Sequence, residues 1–116
     1  MKGIYFINER LPVQSLTLTE SITLQIDSIG TYIKEHNIDI IKLNPYQIYD
    51  YYTNPHALLF DVKKQREQLD CLLYYSLRSL EDFIYHYPAK WLILKSFFKE
   101  VIEVENHIDR NVQKVV

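Results

Sequence analysis

The sequence predicts an α/β domain in which a four-stranded, mainly parallel sheet lies between two layers of helices, three layers in all. Three observations support this prediction. Four short strand-like segments alternate with helical patterns along the chain, and this alternation favours parallel strands joined by right-handed crossovers. The 116 residues suffice for one hydrophobic core but not for two. Only two glycines and four prolines interrupt the chain, so regular elements must fill most of it.

The first strand and the first helix are predicted before residue 37. Gly3–Ile7 is a short apolar run with aromatic residues, typical of a strand, and residues 8–17 have the mixed polarity of a loop. Thr17 and Glu20 have the spacing of a capping box. The apolar face of the helix that follows is Ile22, Ile26, Ile29 and Ile33. Asn37 is expected to end this helix because asparagine tolerates the left-handed conformation.

The second strand, a loop and the second helix are predicted next. Ile38–Leu43 is short and rich in β-branched residues, as a buried strand would be. Tyr46–Thr53 contains four tyrosines without an apolar period and is interpreted as a loop. Asn54 before Pro55 fits an N-cap with proline in the first helical position. The helix is expected to run to about Gln68.

The last third of the domain is predicted as strand, helix and strand. Leu69–Tyr75 is the third strand, and Glu100–Glu105, which alternates in polarity, is the fourth. Ser79 is expected to cap the helix between them. Its apolar face is Leu80, Phe83, Ile84, Tyr87, Trp91, Leu94 and Phe98. Pro88 lies inside this pattern and should kink or break the helix.

The domain is expected to span residues 1–105, with residues 106–116 as a polar tail that forms a short helix or frays. The chain has 13 Lys and Arg against 15 Asp and Glu, a net charge of −2. Since affinity for the nucleic-acid backbone comes mainly from basic residues, we expect weak or no direct DNA binding. The uninterrupted apolar runs of the chain are too short to span a membrane, so no membrane-spanning segment is predicted. Residues 1–5 resemble no secretion signal, so a cytoplasmic location is expected.

We expect neither a metal nor a cofactor. The single cysteine, Cys71, excludes an intramolecular disulfide and a zinc site with several cysteines, and its predicted buried strand favours a packing role. The four histidines lack the short spacing typical of metal ligands. Glycine occurs only as Gly3 and Gly30, so the chain has no glycine-rich phosphate loop.

Three segments carry motif-like patterns in a consistent order. Residues 21–25 read SITLQ, residues 54–58 read NPHAL, and residues 70–82 read DCLLYYSLRSLED. Together they resemble the catalytic domain of the serine recombinases, the resolvase and invertase family, over about Lys2–Glu105. The resemblance implies a resolvase-like fold, with the strand order 2-1-3-4.

The residues that carry catalysis in that family are replaced. Its first strand reads Y-x-R-x-S, whose serine attacks DNA phosphate; residues 5–9 here read YFINE, with isoleucine for the arginine and glutamate for the serine. Its D-R-x-x-R motif stands as RSLED at residues 78–82. Phosphoryl transfer needs cations near the phosphate oxygens, so the resemblance implies a catalytically inactive, truncated relative. Gln25 and Asp70 match the family, and both are interpreted as structural.

The leading functional hypothesis is therefore a non-enzymatic protein-interaction or regulatory module. Exposed tyrosine and arginine are frequent anchors of protein interfaces. The candidate partner-binding residues are Tyr46, Tyr49, Tyr51, Tyr52, Arg10 and Arg78. Two of the tyrosines could instead cover the sheet edge. No basic residue lies between Asn44 and His56, which favours a protein over single-stranded nucleic acid as the partner.

The resemblance suggests a DNA-replication or recombination protein of a bacterium, phage or mobile element as that partner. Two alternatives stay open. One is a DNA-acting enzyme with a rearranged site that uses Ser15, with Arg10 as its phosphate partner, or Glu9. The other is an oligomerisation scaffold built from copies of this chain.

Overall fold

The computed structural model describes residues 1–66 and 68–106. The strands are β1 (Lys2–Phe6), β2 (Asp39–Ile40), β3 (Leu69–Tyr74) and β4 (Phe98–Glu103). The helices are α1 (Leu18–Glu35), α2 (Pro55–Gln65), α3 (Glu81–His86) and α4 (Pro88–Lys95), with a 3₁₀ turn at Leu77–Ser79 before α3. All strand pairs are parallel and the order is β2-β1-β3-β4, which confirms the predicted sheet.

Two hydrophobic clusters lie on opposite faces of the sheet, because successive side chains of a strand point to opposite sides. On one face Tyr5, Cys71 and Ile102 pack against Ile29 and Tyr32 of α1. The other face packs against α2, α3 and α4. Its buried residues include Ile4, Phe6, Leu72, Tyr74, Leu58, Val62, Phe83, Trp91 and Leu94. The three-layer architecture is therefore confirmed.

The start and end of α1 agree with the sequence. Thr17 Oγ1 accepts a hydrogen bond of 3.1 Å from Glu20 N–H, and the Glu20 carboxylate accepts one of 2.8 Å from Thr17 N–H. This reciprocal pair is the predicted capping box. The helix ends at Glu35, and Asn37 has a φ of 52°, in the left-handed region as expected.

The second strand is much shorter than predicted. Only Asp39–Ile40 of the expected 38–43 segment pairs as β2, because a turn closed by a 3.1 Å bond from Gln47 N–H to Asn44 O soon redirects the chain. Tyr52 then takes up the pairing with β1. Its N–H donates to Tyr5 O at 3.1 Å, and its carbonyl accepts from Ile7 N–H at 2.9 Å.

The predicted long helix is two helices, and a 3₁₀ turn precedes them. Pro88 has no N–H to donate, and the helix breaks there, as expected, into α3 and α4. The predicted cap at Ser79 is wrong: Ser79 is buried inside the 3₁₀ turn, and its Oγ accepts a hydrogen bond from Ser76 N–H at 3.4 Å. Leu80 precedes α3 and provides no side-chain cap.

The fourth strand lies earlier in the chain than predicted. Phe98, expected on the helix face, begins β4 and pairs with Leu69, and the strand ends at Glu103 rather than at Glu105. Phe98 packs in the same hydrophobic cluster as Trp91 and Leu94 of α4, so it fits the apolar face of a helix as well as a buried strand position. The helical period therefore predicted the wrong boundary. Helix α2 ends at Gln65, followed by Arg66 with a φ of 55°, instead of running to Gln68.

Three further predictions concern the C-terminal tail, membrane-spanning segments and Cys71. Of the polar tail at 106–116, residues 107–116 lie outside the described residues. No helix in the described part of the chain has both the length and the apolar character to cross a membrane. Cys71 is fully buried in β3, and this burial raises the pKa of its thiol to about 11, in agreement with the predicted packing role.

Candidate functional site

The candidate site lies at the carboxyl edge of the sheet, where loops that follow parallel strands meet. The loop after β1 carries Arg10, the loop after β2 carries Tyr46–Tyr52, and the turn after β3 carries Arg78. All six candidate partner-binding residues therefore belong to loops of one edge. Their side chains, however, have very different environments.

Tyr52 is part of the core. Its side chain is 6% exposed, and its phenol donates a 2.6 Å hydrogen bond to Asp61 Oδ2 of α2. Burial is the main reason that the pKa of Tyr52 lies well above its ordinary value, with the bond to Asp61 next. Tyr52 thus fastens the loop to α2 and to β1, and it is not available as an exposed anchor.

The other tyrosines of this loop form a surface. Tyr46 is 90% exposed and Tyr49 is 55% exposed, and Ile48 between them is 88% exposed. Tyr51 is half-buried: its ring lies 5.5 Å from that of Tyr5 and stacks on that of Tyr49 at 4.9 Å, with the planes 5° apart. We call Tyr46, Ile48, Tyr49 and Tyr51 the tyrosine platform.

Hydrogen bonds hold this platform in one conformation. Tyr46 N–H donates to Asn44 Oδ1 at 2.9 Å, and Asn44 N–H donates to the Gln47 side chain at 3.2 Å. Gln47 Nε2 in turn donates to Tyr49 O at 3.2 Å. A loop fixed in this way loses little conformational entropy when it binds, which favours affinity.

The charges around the platform are negative. Tyr5 Oη donates a 2.7 Å hydrogen bond to Asp50 Oδ1, which fixes this carboxylate beside the rings. Burial raises the pKa of Tyr51 most, the neighbouring Tyr49 comes next, and the negative charges of Glu9 and Asp50 raise it further. Glu9 is exposed in the loop after β1.

Buried and hydrogen-bonded phenols should make the domain sensitive to alkali. Burial raises the pKa of Tyr74 to about 12, and the pKa values of Tyr5 and Tyr52 are also raised above 10.0. Raised pKa values favour the neutral phenols in the folded state, so their stabilisation is complete below pH 10 and declines as pH rises through the folded-state values. Burial also raises the pKa of the Cys71 thiol from 9.0 to about 11, so this group begins the decline. We expect urea denaturation to give a free energy of unfolding that begins to decrease near pH 9 and decreases more steeply above about pH 10.

Tyr52→Phe provides the control for this pH dependence. The variant lacks one of the raised phenols, so its free energy of unfolding should decrease less steeply above pH 10 than that of the wild type. Equal slopes for the two proteins would show that the Tyr52 phenol does not couple to folding.

Arg10 and Arg78 line one cleft. It has a volume of about 340 Å³, and its walls come from the loop after β1 and from the 3₁₀ turn and α3. Its lining residues are Asn8, Arg10, Leu11, Pro12, Arg78, Glu81 and Asp82. We call this the arginine cleft. Two guanidinium groups and two carboxylates share it, so the charges of its lining offset one another.

Buried amide groups position the wall of the arginine cleft. Gln25 is fully buried; its side chain accepts from Asn8 N–H at 3.0 Å and donates to Asn8 O at 2.8 Å. Asn8 Nδ2 donates to Ser79 O at 3.0 Å and so joins the loops after β1 and β3. Ser21, also fully buried, donates to Leu11 O at 2.7 Å. These contacts support the structural interpretation of Gln25.

Asp70 also has structural contacts. It lies near the amino end of β3, away from the cleft, and accepts a 2.6 Å hydrogen bond from Lys2 N–H. Its other oxygen forms a 3.2 Å ion pair with Lys99. The bond from Lys2 is the main cause that lowers the pKa of this carboxyl, with the Lys99 contact next.

Of the residues of the alternative enzymatic hypothesis, Arg10 lines the arginine cleft and the two candidate nucleophiles do not. Ser15 is exposed in the loop before α1 and lies outside the lining of the arginine cleft, and so does Glu9. Ser76 lines a smaller neighbouring cavity of about 120 Å³ but is 5% exposed. Within residues 1–66 and 68–106, no three His, Cys, Asp or Glu side chains are grouped so that they could hold a metal ion.

The sequence indicated Arg10, Arg78, Glu9 and the tyrosine loop but not Ile48 and Asp50. Ile48 is 88% exposed. The signal that could have identified it is an isolated apolar residue in a segment with no helical or strand period, where no buried face is expected. Asp50 and Glu9 flank the platform, and nothing in the spacing of these residues indicates that they act on the same ring.

Comparison of the chain with protein-family models, with curated proteins and with solved structures finds no match in any of the three.

Proposed function

We propose that this domain is a non-enzymatic protein-interaction module that binds its partner through the tyrosine platform. The observation that carries the proposal is the exposure of Tyr46 and Ile48, at 90% and 88%, in a loop whose Asn44 and Gln47 side chains bond to its own backbone. Adjacent large apolar side chains that stay in water mark binding surfaces, and rigid tyrosine is a typical anchor residue. The platform is small, so it would form the apolar centre of an interface with a polar rim.

We also propose a relationship to the serine recombinases, with loss of their activity. The strand order β2-β1-β3-β4 is the one expected from the resemblance of residues 21–25, 54–58 and 70–82. The class of partner follows from that relationship alone: a cytoplasmic DNA-replication or recombination protein of a bacterium, phage or mobile element. Direct DNA binding would be weak, since the net charge is −2 and the platform is flanked by carboxylates.

The proposal is tested by the paired substitution Tyr46→Ala with Tyr49→Ala. Alanine at exposed anchors should weaken association with the partner by about 30-fold or more, equivalent to roughly 2 kcal/mol, with little change in melting temperature. The matched control is Tyr85→Ala on α3, where a tyrosine is 79% exposed outside the platform. Proteins retained from native lysate are first compared among the three proteins, and the affinity of each differential partner is then measured by titration.

Equal retention of the same proteins by wild type and by the platform variant would contradict this function. The oligomerisation alternative is measured in the same series by size-exclusion chromatography with light scattering. An assembly of this chain alone that dissociates with Tyr46→Ala and Tyr49→Ala, but not with Tyr85→Ala, would identify a second copy as the partner.

A second candidate, an enzyme that acts on DNA, is suggested by the two arginines of the arginine cleft. Glu81 and Asp82 share the cleft and would repel phosphate, and none of the lining residues is a serine, threonine, tyrosine or cysteine. We therefore expect that incubation with supercoiled DNA gives neither nicks nor a covalent protein–DNA adduct, as judged on denaturing gels. An adduct that forms with wild type and disappears with Ser15→Ala would establish the enzymatic alternative.

A further inference from the structure

Building on the proposed function, we infer that the partner segment that docks on the tyrosine platform is basic, with arginine or lysine side chains that lie over the rings and against Glu9 and Asp50. The inference rests on two independent features of the surface: the arrangement of its aromatic rings and the sign of the charges around it.

The rings are arranged to accept a cation. Tyr49 and Tyr51 stack with their planes 5° apart, so one face of Tyr49 is covered by Tyr51. Tyr49 is nevertheless 55% exposed, so more than half of its surface stays open to a ligand. The face of an aromatic ring attracts guanidinium and ammonium groups, and planar guanidinium also stacks on it.

The carboxylates around the rings are placed to pair with that cation. Asp50 Oδ1 accepts the hydrogen bond from Tyr5, and a carboxylate has a second oxygen that can accept from an incoming donor. Glu9 is exposed and follows Ile7 by two residues; Ile7 N–H donates to Tyr52 O at 2.9 Å, so Glu9 lies next to the loop that carries the rings. No lysine or arginine lies between Leu43 and Thr53, so this loop supplies no cation of its own.

The same charges disfavour the other occupants of an aromatic surface. Single-stranded nucleic acid stacks its bases on tyrosine, but its phosphates would then lie near the carboxylates of Glu9 and Asp50, which repel them. An acidic peptide would meet the same repulsion. A basic protein segment gains from both the rings and the carboxylates.

The experiment titrates the full-length ¹⁵N-labelled chain with short probes and follows backbone amide shifts. The probes are a six-residue peptide of alternating glycine and arginine, the same peptide with glutamate in place of arginine, a glycine–serine peptide, and a deoxythymidine hexamer. We expect the arginine peptide alone to shift the amides of residues 46–52 and Glu9. Raising NaCl from 50 to 300 mM should weaken this binding at least three-fold.

Two substitutions remove the charges and keep the shape. Asp50→Asn retains an oxygen that can accept from Tyr5, and Glu9→Gln retains the side-chain length; together they should weaken binding of the arginine peptide at least five-fold. The matched control, Asp27→Asn, changes an exposed carboxylate of α1 and should leave binding unchanged. Unchanged binding in the double variant, or tighter binding of the hexamer or of the glutamate peptide, would overturn the inference.

Failure here and failure of the proposed function give different results. If a partner is lost with Tyr46→Ala and Tyr49→Ala but retained by Asp50→Asn with Glu9→Gln, the platform binds a protein, and the inference that the bound segment is basic is wrong. If the partner is retained by the tyrosine variant, the proposed function is wrong whatever the peptides show.

Discussion

Tyr52→Ala is expected to lower the free energy of unfolding by about 3–5 kcal/mol, the range for removal of a large buried aromatic ring. The Tyr52 side chain is 6% exposed and packs in the same cluster as Phe6 and Leu58. The substitution also leaves the Asp61 carboxylate without the phenol that donates to it at 2.6 Å. Urea denaturation followed by circular dichroism measures the change.

Two variants separate the parts of this effect. Tyr52→Phe keeps the ring and removes the hydroxyl, so it should cost about 1.5–3 kcal/mol, the range for one hydrogen bond to a charged acceptor. Tyr46→Ala, at a side chain that is 90% exposed, should change stability by less than about 0.5 kcal/mol. If Tyr52→Ala were as mild as Tyr46→Ala, the loop would not be anchored through Tyr52 in solution.

The division of the tyrosines into core and platform could not be predicted from their spacing. Tyr46–Thr53 has neither a helical nor a strand period, and burial of Tyr52 depends on pairing with β1, a segment more than forty residues earlier in the chain. Local patterns carry no information about such a distant pairing. The sequence therefore indicated a tyrosine-rich contact surface but could not show which ring forms the core.

The fold was more predictable because each of its main signals is local. The capping box at Thr17 and Glu20, the N-cap at Asn54 and the break at Pro88 all depend on neighbouring residues, and the structure has all three. The boundaries that were wrong depend on tertiary contacts. Phe98 pairs with Leu69 across the sheet, and this pairing assigns it to β4 rather than to a helix.

The arginine cleft could be predicted from the sequence in part. Arg10 and Arg78 were expected at one edge because both follow strands of a parallel sheet, and they line the same cleft. Their convergence also requires the bond from Asn8 to Ser79 O, which joins the two loops. That bond depends on the buried Gln25, which was correctly interpreted as structural although its partners could not be named from the sequence.

Gln25→Leu is expected to destabilise the domain by about 2–4 kcal/mol, because loss of the amide leaves the N–H and C=O of Asn8 without their partners, each at a cost of about 1–3 kcal/mol. Leucine is similar in volume, so the loss reflects hydrogen bonding rather than a cavity. Gln25 bonds to Asn8 N–H at 3.0 Å and to Asn8 O at 2.8 Å, and its side chain is fully buried. Urea denaturation gives the free energy of unfolding.

Gln25→Glu distinguishes the two bonds. A carboxylate can still accept from Asn8 N–H but cannot donate to Asn8 O, and it also introduces a buried charge, so this variant should be at least as destabilised as Gln25→Leu near pH 7. Its stability should recover as the pH falls and the carboxyl becomes protonated, because the protonated group regains a donor. The Gln25→Leu variant should show no such recovery. A leucine variant within about 0.5 kcal/mol of wild type would mean that the loop after β1 finds other partners, and that Gln25 does not hold Arg10 and Arg78 at a common cleft.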